Sequence, residues 1–132
     1  AAFDALGNIK QAEEYYRKAL KKDAVHLETI NNLASLLILQ KRYTEAEIIL
    51  GKALSSGKSN ANIYFNLGVV SSFQKDYDSA AKYFLKVVEF NPDDAVAHFL
   101  AGKELLKLGE SRKADKHIEK ARRLDPDNKK FY

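Results

Sequence analysis

The side chains best suited to chemistry in this sequence are three histidines, His26, His98 and His117. Imidazole can bind zinc or carry a proton near neutral pH, but a zinc site on a helix needs a second ligand about one turn away. The histidines fall in different predicted helices or turns, and the spacing around them does not suggest zinc. We therefore interpret His98 as a packing residue and predict no metal site.

Motifs for nucleophilic or phosphate chemistry are also missing from the sequence. It contains no cysteine, which excludes disulfides, thiolate metal sites and cysteine nucleophiles. No histidine stands in a recognisable motif with serine or aspartate, no glycine-rich phosphate loop is present, and the carboxylates are scattered. The sequence predicts no catalytic residues and no cofactor, so this segment is not expected to be an enzyme.

Length and composition are typical of one ordinary globular domain. The chain has 132 residues, with 22 basic and 18 acidic side chains and a net charge of +4. That charge is too mild to indicate a nucleic-acid or membrane partner. Because no apolar run approaches the length of a membrane span, we expect a soluble chain, for which the cytoplasm is the default compartment.

The basic excess is concentrated near the C-terminus, where residues 95–132 hold 10 basic and 6 acidic groups. Such a face could meet an acidic partner, lipid headgroups or RNA. Acidic residues are interleaved with the basic ones at spacings of three and four, so the preferred interpretation is a solvated helix face with local pairing. The basic set is Lys113, Lys116, Lys120, Arg122, Arg123, Lys129 and Lys130, and the acidic set is Glu110, Asp115, Glu119, Asp125 and Asp127.

The elements that must position all these groups are repeated along the chain. Residues of one type recur every 34 positions, first as an alanine and then as a large residue four positions later. The alanines are Ala12, Ala46, Ala80 and Ala114; the large residues are Tyr16, Leu50, Phe84 and Ile118. A third site holds Ala19, Ala53, Val87 and Ala121, and Pro92 and Pro126 close two of the units.

This layout resembles the tetratricopeptide repeat family, whose pattern runs from a large residue through a Leu-Gly pair, aromatic residues and alanines to a proline. Residues 61–94 match it almost throughout, at Tyr64, Leu67, Gly68, Tyr77, Ala80, Phe84 and Pro92. The resemblance implies an all-α fold, an α-solenoid that winds as a right-handed superhelix of helix-turn-helix repeats. Residues 95–128 follow the same pattern at His98, Ala101, Gly102, Ala114, Ile118, Ala121 and Pro126.

The register also predicts where repeats and turns lie. We expect a partial repeat at residues 1–26, complete repeats at 27–60, 61–94 and 95–128, and the start of a further repeat or capping helix at 129–132. The turns inside the repeats are predicted at Lys41-Arg42, Lys75-Asp76, Gly109 and Gly7. Since neither end shows a polar cap, we expect a fragment of a longer array, which leaves end-on self-association open.

In this family the first helix of each repeat lines a concave groove, so the resemblance implies a peptide-binding surface on those helices. Its best signal is a set of phenylalanines that packing inside a repeat does not require, although they could instead pack against neighbouring helices. The predicted groove residues are Asn31, Ser35, Asn62, Phe65, Asn66, Val69, Phe73, Phe99, Lys103 and Lys107.

Two known binding modes of relatives fit this sequence poorly. In some relatives, including the repeats of an O-linked sugar transferase, a ladder of asparagines grips the peptide backbone; Asn32 and Asn66 match it, but Leu100 interrupts it. Relatives that clamp the C-terminal carboxylate of chaperones need several cations, and only Asn66 of that set is present here. A chaperone carboxylate clamp is therefore not expected.

Three functional hypotheses follow from the repeats. The leading one is a non-catalytic module that holds a peptide or helix of a partner protein in the groove. The second is a spacer or assembly segment of a longer superhelix. The third is a set of repeats that recruits substrate to an enzyme, such as a glycosyltransferase, whose catalytic part lies outside this chain.

Overall fold

The computed structural model describes the backbone of residues 2–132 and the side chains from residue 7 onward. Over these residues the chain forms seven α-helices and one short 3-10 helix, η1, with no strand in the described part. The predicted all-α class is thus confirmed. The helices are α1 (Ala2–Lys22), α2 (Leu27–Leu39), α3 (Tyr43–Ser55), α4 (Ala61–Phe73), α5 (Tyr77–Phe90), α6 (Ala95–Lys107), α7 (Ser111–Leu124) and η1 (Lys129–Phe131).

The helices belong to two compact units, an N-terminal unit of Ala1–Ser59 and a C-terminal unit of Asn60–Tyr132. In the N-terminal unit α2 packs against both α1 and α3. In the C-terminal unit each helix from α4 to α7 packs against the next along the chain, and η1 contacts α7. Since the most extensive packing joins chain neighbours, the contacts within each unit are those of helical hairpins stacked in order.

One position, recurring every 34 residues, starts the first helix of each repeat. The side chains of His26, Asn60 and Asp94 accept hydrogen bonds from backbone N–H groups three residues ahead, at 3.3, 2.9 and 3.0 Å. At the same position Asn128 accepts from the N–H of Lys130 at 3.1 Å and so caps η1. These bonds satisfy N–H groups that have no partner inside the helix, which is why helices begin there.

Turns between paired helices use one residue with a left-handed backbone. Lys41, Lys75 and Gly109 have φ angles of 61°, 62° and 78°. The next N–H, of Asp76 after Lys75, donates to the carbonyl of Ser71 at 2.9 Å, and its counterparts elsewhere do the same. The expected turn at Gly7 is wrong, because α1 runs through this residue; one glycine costs a helix only about 1 kcal/mol.

Small residues allow helices to approach closely in the C-terminal unit. Ala80 and Ala114 are completely buried. A Cβ atom on Gly68 would lie 2.6 Å from Cε1 of Phe84, and one on Gly102 would lie 2.6 Å from Cγ1 of Ile118. These glycines are therefore packing devices that admit a large side chain from the second helix of the same repeat.

A charged cluster links α1 to the start of α3 in the N-terminal unit. The Arg42 guanidinium donates to both carboxylate oxygens of Glu13, at 2.7 and 3.1 Å, and to both of Glu45, at 2.6 and 2.9 Å. Arg17 also donates to Glu13, at 2.8 Å. The hydrogen bond from Arg42 is the main reason that the pKa of Glu13 falls to about 2, and it also lowers the pKa of Glu45.

Candidate binding surface

Half of the predicted groove residues lie on α4 in the C-terminal unit. Asn62, Phe65, Val69 and Phe73 follow one another at spacings of three and four, which places them on one face of the helix. Asn62 and Phe73 are exposed, whereas Phe65, Val69 and the adjacent Asn66 are half-buried. This face is therefore open at both ends of α4 and partly covered in the middle.

Phe65 and Val69 are covered because they contribute to the core of the unit. The Phe65 ring meets the Phe84 ring edge-on, with 5.8 Å between centroids. Both residues pack against a buried cluster formed by Ala80, Phe84 and Ala101, which come from α5 and α6. Much of the Phe65 side chain therefore packs against neighbouring helices, as the alternative interpretation expected. Only its exposed part can contact a ligand.

Phe99 and Lys103 occupy the corresponding face of α6. Phe99 is half-buried, and its ring lies 4.9 Å from that of Phe131 in η1. Lys103 is exposed, with its Nζ 5.8 Å from the centroid of the Phe99 ring. Phe99 is therefore shielded by an aromatic residue of the chain itself, while the Lys103 ammonium stays accessible beside it.

Lys107, the last predicted residue on α6, sits beside a buried carboxylate that sequence reasoning missed. Glu104 is only 2% exposed; its Oε1 accepts a hydrogen bond from Ser72 at 2.6 Å and lies 3.8 Å from the Lys107 Nζ. The same Nζ lies 4.7 Å above the Tyr77 ring. The burial of Glu104 could have been predicted, because the 34-residue register aligns it with Val70 of the preceding repeat, which is also buried.

The remaining two predicted residues lie on α2 in the N-terminal unit. Ser35 is exposed, and so is Asn32 of the proposed asparagine ladder. Asn31 is buried, at 9% exposure, so it offers little surface to a ligand. Asn32, which is not among the predicted groove residues, has a more accessible side chain than Asn31.

Three apolar side chains remain strongly exposed on α4 and α6. Phe73 is 58% exposed, Leu106 47% and Val96 45%. On α6, Val96, Phe99, Lys103, Leu106 and Lys107 recur at spacings of three, four and seven and so share a face. The candidate surface of the C-terminal unit is thus an apolar and basic face of two helices.

The structure also brings together two histidines that lie 19 residues apart in the sequence. The Nε2–H group of His98 donates to the Pro92 carbonyl at 2.7 Å, since a carbonyl can only accept. With both rings neutral, the Nδ1–H of His117 must donate to the bare Nδ1 of His98, 3.0 Å away. His98 is buried, as a packing residue should be, and burial followed by repulsion from His98 and Lys116 lowers the pKa of His117.

The 34-residue register indicates that these two histidines lie close together. His98 and His117 occupy the positions held one repeat earlier by Tyr64 and Tyr83, whose ring centroids lie 6.3 Å apart. Both pairs join the first and second helices of a repeat. The two histidines could therefore have been paired by alignment with the preceding repeat, without any motif between them.

Metal-ligand clusters and membrane-spanning helices are both absent from the part of the chain that the structure describes. Within that part, no group of three or more His, Cys, Asp or Glu side chains could hold a metal ion. No helix among the described residues is long and apolar enough to cross a bilayer.

Comparison with known proteins identifies the family. Models of the tetratricopeptide repeat match residues 5–67, residues 61–94 and residues 95–128. These matches include more than half of the chain and agree with the stacked helical hairpins and the alanine and glycine positions described above. The chain belongs to the tetratricopeptide repeat family.

Individual relatives are similar over differing lengths. The BBSome complex member BBS4 of Bos taurus is 31% identical over 95% of this chain, which corresponds to 24% of that protein. The protein O-mannosyl-transferase TMTC3 of Mus musculus is 35% identical over 56% of this chain and 8% of its own length. The chain thus spans a quarter or less of these two relatives.

A solved structure supports the fold. YrrB, described as a TPR protein with an unusual peptide-binding site, superposes with a TM-score of 0.85 at 24% identity, covering 98% of this chain and 67% of YrrB. At this identity the likeness concerns the fold alone. Together with the family match, it shows an all-α chain of the tetratricopeptide repeat solenoid class.

Proposed function

We propose that this chain is a protein-binding module that holds an extended peptide or a helix of a partner protein against the α4 and α6 faces of the C-terminal unit. The observation that carries the proposal is the exposure of Phe73, Leu106 and Val96 on these two helices. Exposed apolar groups of this size commonly mark interaction surfaces, because covering them removes apolar area from water. The general role of these repeats, protein–protein interaction, agrees with it.

Each residue of the surface has a distinct part in the proposal. Phe73 is the most exposed of the three phenylalanines, because Phe65 and Phe99 are partly covered by Phe84 and Phe131. Lys103 supplies the accessible positive charge, while the ammonium of Lys107 is partly neutralised by Glu104. The preferred ligand is therefore a segment with an apolar residue and a nearby carboxylate.

Polar residues on the same helices would fix the ligand backbone. Asn62 is exposed at the start of α4, and Asn66 lies one turn further along it, beside the apolar Val69. Ser35 and Asn31 are also assigned to the groove from the sequence, but they lie on α2 of the N-terminal unit and are considered apart from this surface; Asn31 is the weaker candidate because it is buried. Their part in ligand binding stays a prediction.

Known relatives supply two further supports. YrrB is a TPR protein with an unusual peptide-binding site, and BBS4 is a member of the BBSome complex. A chain with the same repeats is suited to the same kind of work, because stacked first helices present side chains in parallel rows.

A peptide selection would test the proposal. Peptides selected on the purified chain from a random library should bind with affinities measurable by fluorescence anisotropy. The double variant Phe73→Ala plus Lys103→Glu should weaken them roughly tenfold or more, since burial of one phenylalanine contributes about 1.5–3 kcal/mol. The matched control is Ile48→Ala, which removes an equally exposed apolar group on α3.

Circular dichroism of each variant must show that helicity is retained. Selected peptides that bind the double variant and the wild type equally would contradict the assignment of this surface. Loss of binding in the Ile48→Ala control as well would contradict it too, because the effect would then not be local.

A second candidate function rests on the match to TMTC3, a mannosyl-transferase. In that case the repeats would recruit substrate to catalysis performed outside this chain. Deleting residues 1–132 from the full-length parent would then reduce transfer to protein acceptors but not to a short free acceptor. A pure spacer, the remaining alternative, would tolerate the Phe73 and Lys103 substitutions without any loss of binding.

A further inference from the structure

A second surface of the C-terminal unit lies around the histidine pair, and none of its lining residues belongs to the predicted groove. It is a pocket of about 500 Å³, which we name the α7 pocket. His98 and His117 lie in its wall, next to the end of α5. The other lining residues are Val88, Pro92, Lys116, Glu119, Lys120 and Arg123.

The preceding repeat shows what this face looks like when its charges are balanced. On α5, Lys82 pairs with Asp78 at 3.0 Å and Lys86 pairs with Glu89 at 3.3 Å. Both pairs join residues three or four positions apart, so they belong to the helix itself. The cations of α5 are therefore neutralised without any partner molecule.

On α7 the two lysines are kept and their acidic partners are replaced by arginines. The register aligns Lys116 and Lys120 with Lys82 and Lys86 of α5. It aligns Arg112 with Asp78 and Arg123 with Glu89. Two charge reversals thus turn a neutral face into a basic one at equivalent positions.

The acidic residues interleaved on α7 do not compensate for this change. Among the described residues, the one ion pair made by α7 joins Lys113 to Glu110 at 4.0 Å. Arg122 instead donates to the backbone carbonyl of Phe131 at 2.7 Å and lies 4.6 Å from the Tyr132 ring centroid. The local pairing expected from the sequence is therefore mostly wrong, since acidic neighbours in sequence do not reach the basic groups.

We propose that the α7 pocket binds an acidic, extended segment of a partner protein. Lys116, Lys120 and Arg123 are separated along the helix axis by about 6 Å and about 4.5 Å. Alternate side chains of an extended peptide are separated by about 6.8 Å, so carboxylates at every second residue would meet successive cations. A pocket that is basic on one wall and lined by Val88 and Pro92 on another suits such a segment better than a flat surface.

The histidine pair makes this site respond to pH. With His117 Nδ1–H donated to His98, the Nε2 atom of His117 is the ring nitrogen left to take up a proton. The charged groups facing it are Lys116, Lys120, Arg123 and Glu119 of α7; the α5 side contributes only the uncharged Val88 and Pro92. A bound carboxylate opposes the repulsion from these cations, so protonation and binding strengthen each other.

The test is a fluorescence anisotropy titration with a labelled peptide of about ten residues that alternates glutamate and serine, and a matched peptide with glutamine for glutamate. The wild type should bind the acidic peptide and not the neutral one. Arg112→Asp plus Arg123→Glu should weaken binding at least about tenfold, because it recreates the intrahelical pairs of α5. Its helix should stay folded for the same reason.

Two control variants keep the result specific. Lys82→Glu plus Lys86→Glu changes the net charge by the same amount on α5 and should leave binding nearly unchanged. Lys103→Glu alters the surface of the proposed groove and should also leave it unchanged, so the two proposals can fail separately. Equal loss in all three variants would show general charge attraction and overturn the proposal.

Two further measurements can overturn it. Wild-type binding should strengthen several-fold from about pH 8 to about pH 6, and His117→Gln should remove that dependence. A wild type without pH dependence would contradict the role of the pair. A single-stranded RNA or vesicles rich in anionic lipid binding more tightly than the peptide, with the same sensitivity to Arg112 and Arg123, would contradict the class of partner.

Discussion

Gly68 and Gly102 lie where a large side chain of the second helix packs directly against the first helix of its repeat. Any Cβ at Gly68 would lie 2.6 to 2.9 Å from three ring atoms of Phe84. That ring is itself 1% exposed and meets Phe65, so it has no room to withdraw. By contrast, a Cβ at Gly51 in α3 would meet nothing within 4 Å.

Alanine at these two glycines should therefore have opposite effects on the free energy of unfolding. Gly68→Ala should lower it by roughly 1–3 kcal/mol through overpacking. Gly51→Ala should raise it by up to about 1 kcal/mol, because alanine favours the helix. Urea unfolding followed by circular dichroism measures both, and a stabilising Gly68→Ala would show that Phe84 can move aside.

At the scale of elements, the turns of successive repeats differ in how well the residue suits the backbone. Gly109 adopts its φ of 78° without strain, whereas Lys41 and Lys75 adopt φ values of 61° and 62° with a Cβ in the way. Lysine is nonetheless retained at two of three equivalent turns. The hydrogen bonds that follow the turn residue are the same in all three repeats, so the geometry depends on the helices it joins.

Lys75→Gly should raise the free energy of unfolding by about 0.5–1 kcal/mol, because it removes the strain of the left-handed backbone. Gly109→Ala should lower it by roughly 1 kcal/mol for the converse reason. The adjacent Gln74, whose φ is −81°, provides the control, since Gln74→Gly should bring no gain. Equal gains at residues 74 and 75 would contradict the relief of left-handed strain, because glycine by itself adds entropy to the unfolded chain and lowers stability.

At the scale of the whole molecule, acid should act on the two units in different pH ranges. His117 has a folded pKa below its ordinary value of 6.5, so the unfolded state binds its proton first. The stability that this provides is complete above pH 6.5 and is lost as pH falls below it. Glu13, with its pKa lowered from 4.5 to about 2, stabilises the N-terminal unit above pH 4.5, and this contribution is lost as pH falls towards 2.

Urea midpoints measured across pH should therefore fall in two ranges. His117→Gln should flatten the range just below pH 6.5, and Arg42→Gln should flatten the range below pH 4.5 and lower stability at neutral pH. NMR signals assigned to each unit would attribute the losses. A midpoint that rises as pH drops through 6.5 would contradict the neutral, hydrogen-bonded histidine pair.

The sequence predicts which helix face each residue of the candidate site occupies. It does not predict which of these residues are covered by another helix. Placing Phe65, Val69, Phe73 and Lys103 on one helix face or another needs only helical periodicity. Whether Phe65 is free depends on Phe84 in another helix, and whether Phe99 is free depends on Phe131. Such contacts depend on how helices pack, which the spacing within one helix does not specify.

By itself the sequence determined the family, the helical class and the positions that repeat every 34 residues, because each repeat must bury the same face against the next. Tertiary structure decided which polar groups meet. It joined His98 of α6 to His117 of α7, and it buried Glu104 of α6 beside Ser72 of α4. The physical reason is that apolar periodicity is a property of one helix. A hydrogen bond between two helices requires their side chains to lie within a few ångströms of each other, which depends on how the helices pack.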